Sequence, residues 1–583
     1  MISLIDSKKY RKDIDGIRAL AVVSVIIFHF GSLPNGYLGV DVFFVISGYL
    51  ITGIIYREIS EDRFSILNFY IRRTRRIIPL VSFICFIALI IGTLTMLPDD
   101  LENLAQSVIA TNFFGNNILQ VVTTKNYWDV VNEFKPLMHT WSLGIEEQYY
   151  LFYPFIFLFI GKKRISWVLP ILGLFTLASL VLFFSPFLEF YKFYLLPFRF
   201  YELSIGGILA ILLKKRLIKH HFSWLLVILL GIILCYKPTF LSSDILLFLT
   251  IAITSLLLIS ANDKDKFASL FLENKVSVFI GKISFSLYMW HQLLLAFARY
   301  FVVKEMDEFN LSIIFVLTII LSTLSYYLIE QPFRNKTIIS NKILTLSLTF
   351  LFLFTSLFSF YIYQNAGVLK DIPELDIKKG NVKRNMHAKY NDNLYSLDAN
   401  FKSIDKTKVL VIGNSFGRDW ANVLLESRFN AKMELSYVYD PNTHKELQKR
   451  VLEADLIFYS TGTHYILKEL NIPDNKVWCI GTKNFGINNG IFYNYRGDDY
   501  CNQRTLMEEG YIKQNNLLKK EWGNRYVDLI GLVIDSKSKV PVYTDNCKFI
   551  SQDCRHLTKA GAKYFAKLIE AQPDFILNKK FPQ

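Results

Sequence analysis

Residues 14–57 read IDGIRALAVVSVIIFHFGSLPNGYLGVDVFFVISGYLITGIIYR. Two apolar runs are joined by a short Gly/Pro/Asn turn, and each is close to the roughly 20 residues needed to cross a hydrocarbon core as a helix. Similar runs recur along the chain near 14–32, 37–57, 76–97, 144–160, 166–186, 195–213, 222–237, 241–261, 277–301, 309–329 and 342–364. The predicted architecture is a multi-span α-helical membrane bundle of about eleven transmembrane helices. Hydrophobic residues make up 52% of the 583, more than a water-soluble protein of this length usually carries. After residue 365 the long runs stop and the composition turns polar and mixed, so a second, water-facing module follows.

The formal charge of +15 would suit a nucleic-acid partner, but its distribution speaks against one. The basic residues cluster in alternate short connections, as the positive-inside rule requires. With Lys8, Lys9, Arg11 and Lys12 cytoplasmic, the same side receives Arg72, Arg73, Arg75 and Arg76, then Lys162, Lys163 and Arg164. It also receives Lys214, Lys215 and Arg216, and finally Arg334 and Lys336. The opposite connections hold scattered lysines such as Lys125, Lys192 and Lys304. An odd number of spans then puts the second module outside the cytoplasm. The first apolar run lacks a small-residue cleavage site and continues into the polytopic pattern, unlike a signal peptide.

Six cysteines are present. Cys85 and Cys235 fall in spans and read as small hydrophobes. Cys479, Cys501, Cys547 and Cys554 lie in the C-terminal module, where an oxidising compartment permits disulfides, although four cysteines leave three full pairings open. Their spacing is not that of a zinc site, and no metal is expected.

Ionisable residues inside spans are costly and mark functional candidates. Arg18 and His29 are eleven positions apart, roughly 1100° of helical rotation, which puts them on one face about 16 Å apart along the axis. A cation near the cytosol with an imidazole deeper in suits an extended anionic substrate whose reactive end points into the bundle. Snorkelling of Arg18 and simple packing of His29 are the structural alternatives. Asp41 either orients His29 or pairs with an arginine. The run RRTRRIIP (72–79) serves topology or phosphate binding equally well. HTWSLGIEEQYY (139–150) holds Glu146 and Glu147 at the mouth of a span. Arg199 and Glu202 stand at the i,i+3 spacing of a helical pair, and KISFSLYMWHQ (282–292) brings Tyr288, Trp290 and His291 into one span.

In order, these stretches are Arg18 to His29, GVDVFFVISGYLI (39–51), the arginine-rich loop ending at Pro79, HTWSLGIEEQYY, Y-x-W-H (288–291) and Glu330-x-Pro332. The set resembles the acyltransferase-3 family of membrane O-acyltransferases over roughly residues 10–335. The resemblance implies an acyl-CoA donor, usually acetyl-CoA, taken from the cytoplasm as substrate, with no permanently bound cofactor. The acceptor it implies is a carbohydrate hydroxyl. It makes His29 the candidate base or acyl-relay residue and Glu146 an acid or orienting group. Arg18, Arg72, Arg73, Arg75 and Arg76 become candidates for holding the coenzyme A phosphates.

In the C-terminal module, strand-like KVLVIG (408–413), ELSYVYD (434–440), DLIFYST (455–461), KVWCIGT (476–482) and RYVDLIGLV (525–533) alternate with helical stretches near 415–427, 444–454, 504–521 and 558–571. Such alternation predicts a parallel, doubly wound α/β sheet. Residues 365–404 read as a linker, giving a membrane domain over 1–335, a final helix and linker over 336–404, and a water-facing domain over 405–583. Ser415 follows the first strand at a helix start, where catalytic groups of such sheets gather, or where a serine merely caps a helix. Asp553 and His556, three positions apart just before the last helix, supply a base and its orienting carboxylate.

Gly-x-Ser followed late by Asp-x-x-His resembles the SGNH hydrolase superfamily, an α/β, flavodoxin-like fold. The resemblance implies Ser415 as nucleophile, His556 as base and Asp553 as orienter. Asn414 stands where that family's Gly-Asp-Ser block has aspartate. Its Gly and Asn blocks are not evident; Thr461-Gly462 is the first candidate for an oxyanion donor, and Asn484, Asn488 and Asn489 are unranked. Together the two resemblances imply a bacterial inner-membrane protein with its N-terminus cytoplasmic and its C-terminal domain periplasmic. Its implied reaction is O-acetylation of an envelope glycan, lipopolysaccharide O-antigen or another surface polysaccharide before peptidoglycan. Its partners would be acyl-CoA, the glycan and the lipid bilayer. An anchored extracytoplasmic esterase, a flippase, and an acyltransferase with a non-catalytic sugar-binding module are the rival readings.

Overall fold

The computed structural model describes residues 2–4, 10–123, 132–186, 191–213, 216–218, 223–260, 266–301, 306–380, 390–442, 444–460, 464–486 and 488–582. Lys8, Lys9, Lys125, Lys214, Lys215, Lys304, Thr461 and Gly462 lie outside them. The chain divides into two compact units.

The first unit is helical. A helix stands at each apolar run: Lys12–His29, Gly39–Ser60, Ile66–Thr95, Thr140–Ile160, Val168–Phe183, Leu196–Leu213, Ser223–Cys235, Ser243–Ile259, Lys275–Arg299, Glu308–Ser325 and Asn341–Gln364. Six helical stretches among the described residues are long and apolar enough to cross a membrane: Gly36–Ser60, Ile66–Thr95, Lys162–Phe183, Leu196–Leu213, Glu308–Arg334 and Asn341–Gln364. Their outward faces carry large exposed apolar side chains, among them Leu174, Val181, Leu328, Phe350 and Leu357. Water would penalise such a surface and lipid would not. The chain is a multi-pass membrane protein. Helices Pro98–Asn112 and Asn116–Thr123, which the apolar-run count passes over, are too short or too polar to register as spans.

The first helix packs along Lys275–Arg299, and Gly39–Ser60 along Leu196–Leu213. Gly281 makes the first contact possible, since a Cβ there would stand 1.9 Å from the Asp15 carbonyl oxygen. Small residues at such crossings let helix backbones approach closely.

The second unit gathers 361–583 with short pieces near 95–102 and 300. Its sheet strands are β1 (Thr407–Ile412), β2 (Met433–Val438), β3 (Leu456–Ser460), β4 (Val477–Ile480) and β5 (Tyr526–Val527). All pair in parallel, in the order β2-β1-β3-β4-β5. This is the flavodoxin-like doubly wound order, with its switch point between β1 and β3. Alternation in β1 sends Val409 and Val411 to a core with Trp420, Phe458 and Phe565. Leu410 and Ile412 enter the opposite core with Val451, Ile457 and Trp522. Burial on both faces is why the strand reads as an unbroken apolar run.

Three local expectations are corrected. The helix expected over 504–521 begins only at Glu509, because Arg504–Leu506 pairs antiparallel with Lys539–Pro541. Arg504 is committed to that turn, its guanidinium donating to Asp535 (2.9 Å) and to the carbonyls of Val533 and Lys539. The strand expected over 525–533 ends at Val527, because the next residue, Asp528, accepts from the Gly531 N–H (2.8 Å) and turns the chain. Within the stretch read as a linker, Val368, Ile372 and Ile377 are buried with Phe492, Val542 and Phe549.

Cys501 and Cys547 form a disulfide closing 46 residues of sequence, and Cys479 and Cys554 are buried in the same unit. Chain-entropy arguments assign a crosslink of this span about 2–4 kcal/mol. Replacing Cys501 with alanine is therefore expected to lower the midpoint of C-terminal-unit unfolding, and a non-reduced peptide map should recover the linked 501/547 pair.

Candidate active site

In the second unit, Gly413 ends β1 at φ +133°, where an added Cβ would meet the Ser460 Cβ at 2.6 Å. That conformation favours glycine and turns the chain sharply at the carboxyl edge of the sheet. Asn414 caps the helix Ser415–Glu426, its Oδ1 accepting from the Phe416 N–H at 3.0 Å. Ser415 is thus the first residue of the helix rather than its cap. It lies buried at the switch point, where ligands of doubly wound sheets bind.

The helices Ser415–Glu426 and Lys559–Glu570 pack together, Trp420 and Ala421 sharing a core with Ala562 and Phe565. The turn before the second helix carries the candidate base, His556. His556 Nε2 lies 3.0 Å from Ser415 Oγ, and His556 Nδ1 lies 2.5 Å from Asp553 Oδ2. The other carboxylate oxygen accepts from the backbone N–H groups of Arg555 (3.0 Å) and His556 (2.7 Å) and from Ser551 Oγ (3.2 Å). Burial alone would raise the Asp553 pKa. The His556 imidazole and these hydrogen bonds outweigh it and hold the carboxyl well below the usual range. An ionised Asp553 keeps the proton on His556 Nδ1, leaving the lone pair of Nε2 facing Ser415 Oγ, the arrangement of a serine–histidine–aspartate triad.

Asp419, one helical turn beyond Ser415, was not singled out by the sequence. It is fully buried, and its Oδ2 accepts from the Leu557 N–H at 2.9 Å, tying the turn that carries His556 to the helix that begins at Ser415. Lys483 Nζ lies 2.7 Å from the same oxygen and 3.8 Å from the centre of the Phe416 ring. Burial pulls the Lys483 pKa down, against the opposing pull of Asp419.

The amides of the three candidate asparagines are engaged elsewhere. Asn484 Nδ2 donates to the Gly486 carbonyl (3.1 Å) and to Glu508 (3.0 Å), Asn488 Nδ2 to Asp100 (3.5 Å), and Asn489 Nδ2 to the Ser551 carbonyl (2.5 Å). The Ser415 N–H, at the first position of its helix, has no intrahelical acceptor and is oriented as an N-terminal donor.

In the membrane unit, a cavity is lined by Arg18, Arg73, Arg76, Ser47, Ser142, Glu146, Tyr150 and Tyr288 with apolar residues between them. Glu146 accepts from Ser47 Oγ (3.0 Å) and from the Tyr150 hydroxyl (3.2 Å). The other two candidate arginines are engaged away from this lining. Arg72 pairs with Glu58 at 2.9 Å. Arg75 donates to the carbonyls of Phe333 (2.7 Å) and Ile339 (2.9 Å) and to Asn341 Oδ1 (2.7 Å). Asp41 takes the arginine rather than the histidine, since Arg199 Nη1 lies 2.8 Å from Asp41 and 2.7 Å from Glu202. Glu330 is buried in a π-helical turn, accepting from Ser286 and from Arg334 at 2.5 Å.

His29 stands beside His291, ring centres 5.1 Å apart, and His291 packs against His139 at 5.4 Å. The Tyr288 hydroxyl, on the cavity wall, donates to the His139 carbonyl at 2.8 Å. His139 and His291 lie in quoted motifs, but the sequence assigned them no role.

A membrane bundle whose spans place arginine and glutamate on a cavity, with a separate cluster of three histidines, has the marks of a class of membrane proteins that act on polar substrates. The chain belongs to the acyltransferase-3 family: the family model described as an acyltransferase domain matches residues 11–331. A protein carrying an O-acetyltransferase name from Staphylococcus aureus strain MSSA476, SAS0844, is 33% identical over 356 residues, covering 57% of this chain and 58% of its own. The O-acetyltransferase OatA of S. aureus strain NCTC 8325 is 32% identical over 358 residues with the same coverage. The chain thus spans well under two thirds of the length of the curated relatives it matches. No solved structure matches.

Two outcomes follow for the serine site. Labelling of Ser415 in the full-length protein by a fluorophosphonate probe is expected to slow by about 10³-fold or more in Asp553→Asn, which inverts the histidine tautomer, and by about tenfold in Asp419→Ala, which frees the turn. A carboxylate whose folded pKa is depressed contributes stability above its unfolded value, about 3.9, and loses it as pH falls through the folded value. The stability difference between wild type and Asp553→Asn should therefore be level above about pH 5 and shrink below about pH 4, as followed by thermal unfolding.

Proposed function

We propose that the protein transfers an acyl group, acetyl first among candidates, from cytoplasmic acyl-CoA to hydroxyls of an envelope glycan on the far side of the bacterial inner membrane. Lipopolysaccharide O-antigen or another surface polysaccharide is the proposed acceptor. The observation that carries this reading is the assembled Ser415–His556–Asp553 constellation in a chain of the acyltransferase-3 family. The relatives named O-acetyltransferase support acetyl as the group moved.

The bundle, with eleven crossings, a cytoplasmic N-terminus and an extracytoplasmic C-terminal domain of SGNH type, takes acyl-CoA from the cytoplasm. Arg18, Arg73 and Arg76 hold its phosphates through charge-assisted hydrogen bonds, aided from further out by Arg72 and Arg75. Glu146 orients groups in the cavity, and His29 serves the acyl transfer as base. Ser415 then accepts the acyl group as an ester: its hydroxyl attacks the acyl carbonyl while His556 takes the proton and returns it to the departing oxygen of the hydroxyl acylated in the His29 step. A glycan hydroxyl attacks the ester in turn, giving its proton to His556 and regenerating Ser415. No nucleotide hydrolysis is needed, because the thioester is already activated.

The test is the O-acetyl content of purified surface glycan, by proton NMR, in a deletion strain complemented with wild type, His29→Ala or Ser415→Ala at equal membrane abundance. Loss of the acetyl signal in both variants is expected. A signal that rises on deletion would make the protein an esterase, and acetyl found on peptidoglycan alone would move the acceptor there.

A further inference from the structure

A histidine that acts as a base ordinarily needs a group that fixes its tautomer and steadies its charged form. Asp41, the carboxylate nearest in sequence, is held by Arg199. The contacts His29 does make define its proton positions. His29 Nδ1 lies 2.9 Å from the Val25 carbonyl oxygen, which can only accept, so Nδ1 carries the proton. His291 Nδ1 lies 2.6 Å from the Tyr288 carbonyl oxygen and carries a proton for the same reason. The lone pair of His291 is therefore on Nε2, and that nitrogen lies 3.3 Å from His29 Nδ1. The His29 N–H is shared between a carbonyl and an imidazole lone pair, and the basic nitrogen of His29 is Nε2.

His291 is itself locked. It is fully buried, with the Tyr288 and His139 rings packed against it, each at 5.4 Å. His139 is also buried, and neither of its ring nitrogens has a hydrogen-bond partner among the described residues. No carboxylate makes a hydrogen bond to any of the three rings among the described residues.

We infer that His291 is the positioning residue for His29, filling with a neutral imidazole the place that a carboxylate fills beside the base of a serine triad. The inference rests on the proposed acyl transfer from acyl-CoA. As the hydroxyl that first receives the acyl group, upstream of Ser415, attacks the thioester carbonyl, His29 Nε2 takes its proton and a C–O bond forms. The imidazolium is steadied through its Nδ1–H to His291 Nε2. The C–S bond breaks, and the proton passes from Nε2 to the departing sulfur, restoring neutral His29. An unpaired carboxylate in an apolar bundle would carry a large desolvation cost, and a neutral acceptor orients the ring without it.

The test is release of coenzyme A thiol from acetyl-CoA by the detergent-purified full-length protein. It compares wild type, His29→Ala, His291→Phe, His291→Gln and the double variant His29→Ala/His291→Phe, each with a thermal unfolding curve. Phenylalanine keeps the ring but removes the acceptor, whereas the glutamine side-chain oxygen restores one near the Nε2 position. Expected is a fall in kcat of about 10²-fold or more for His291→Phe, with KM for acetyl-CoA within about twofold. His291→Gln should recover most of that loss, and the double variant should be no worse than His29→Ala. If the phenylalanine variant is unstable, His291→Leu takes its place. Wild-type-like kcat without the acceptor, a glutamine variant as poor as the phenylalanine one, or additive losses in the double variant would each overturn the positioning role alone. A wild-type protein that leaves acetyl-CoA intact would overturn the donor reading and this inference with it.

Discussion

A buried cation between two carboxylates ties two helices of the membrane unit together. Arg199 reaches Asp41 at 2.8 Å and Glu202 at 2.7 Å, all three side chains shielded from solvent. Breaking such a cluster by removing one partner leaves an uncompensated charge in an apolar medium, with costs of about 3–5 kcal/mol in comparable buried pairs. Gly39–Ser60 and Leu196–Leu213 are therefore held together at a fixed register. The first of these helices supplies Val40, Phe43, Ser47 and Ile51 to the cavity wall, and Ser47 in turn holds Glu146. Asp41 is thus committed to Arg199, and the hydrogen-bond partners of the His29 ring are a carbonyl and another histidine.

How much of this was legible follows from the range of each interaction. Apolar runs and strand–helix alternation are local, so the positions of the long helices and of β1 through β4 could be read directly. Gly413-x-Ser415 and Asp553-x-x-His556 were legible because each half is a short spacing tied to a turn. Partners set by packing were not. Arg199 pairs with Asp41 across 158 positions, and His291 meets His29 across 262. Asp419 sits mid-helix in a stretch that reads as an ordinary amphipathic face, and the arriving Leu557 N–H and Lys483 ammonium give it a task. The loop RRTRRIIP shows the limit from the other side. Four arginines of one sequence character divide by helical phase, with Arg73 and Arg76 on the cavity and Arg72 and Arg75 on structural partners.

The two histidines proposed as bases have different surroundings, and the fold around each accounts for it. His556 works beside an aspartate whose side chain keeps 24% exposure and receives two backbone N–H groups and a serine hydroxyl, so the charge is solvated by protein and water together. An ionised orienter is affordable there and gives the larger electrostatic support to the imidazolium. His29 lies in a bundle where helical backbone N–H groups are consumed by the helix itself and cannot solvate a carboxylate. A neutral imidazole whose tautomer is set by a helical carbonyl needs none of them. A proposed proton transfer is thus supported by a charge where the fold supplies donors for it, and by a lone pair where the helices supply none.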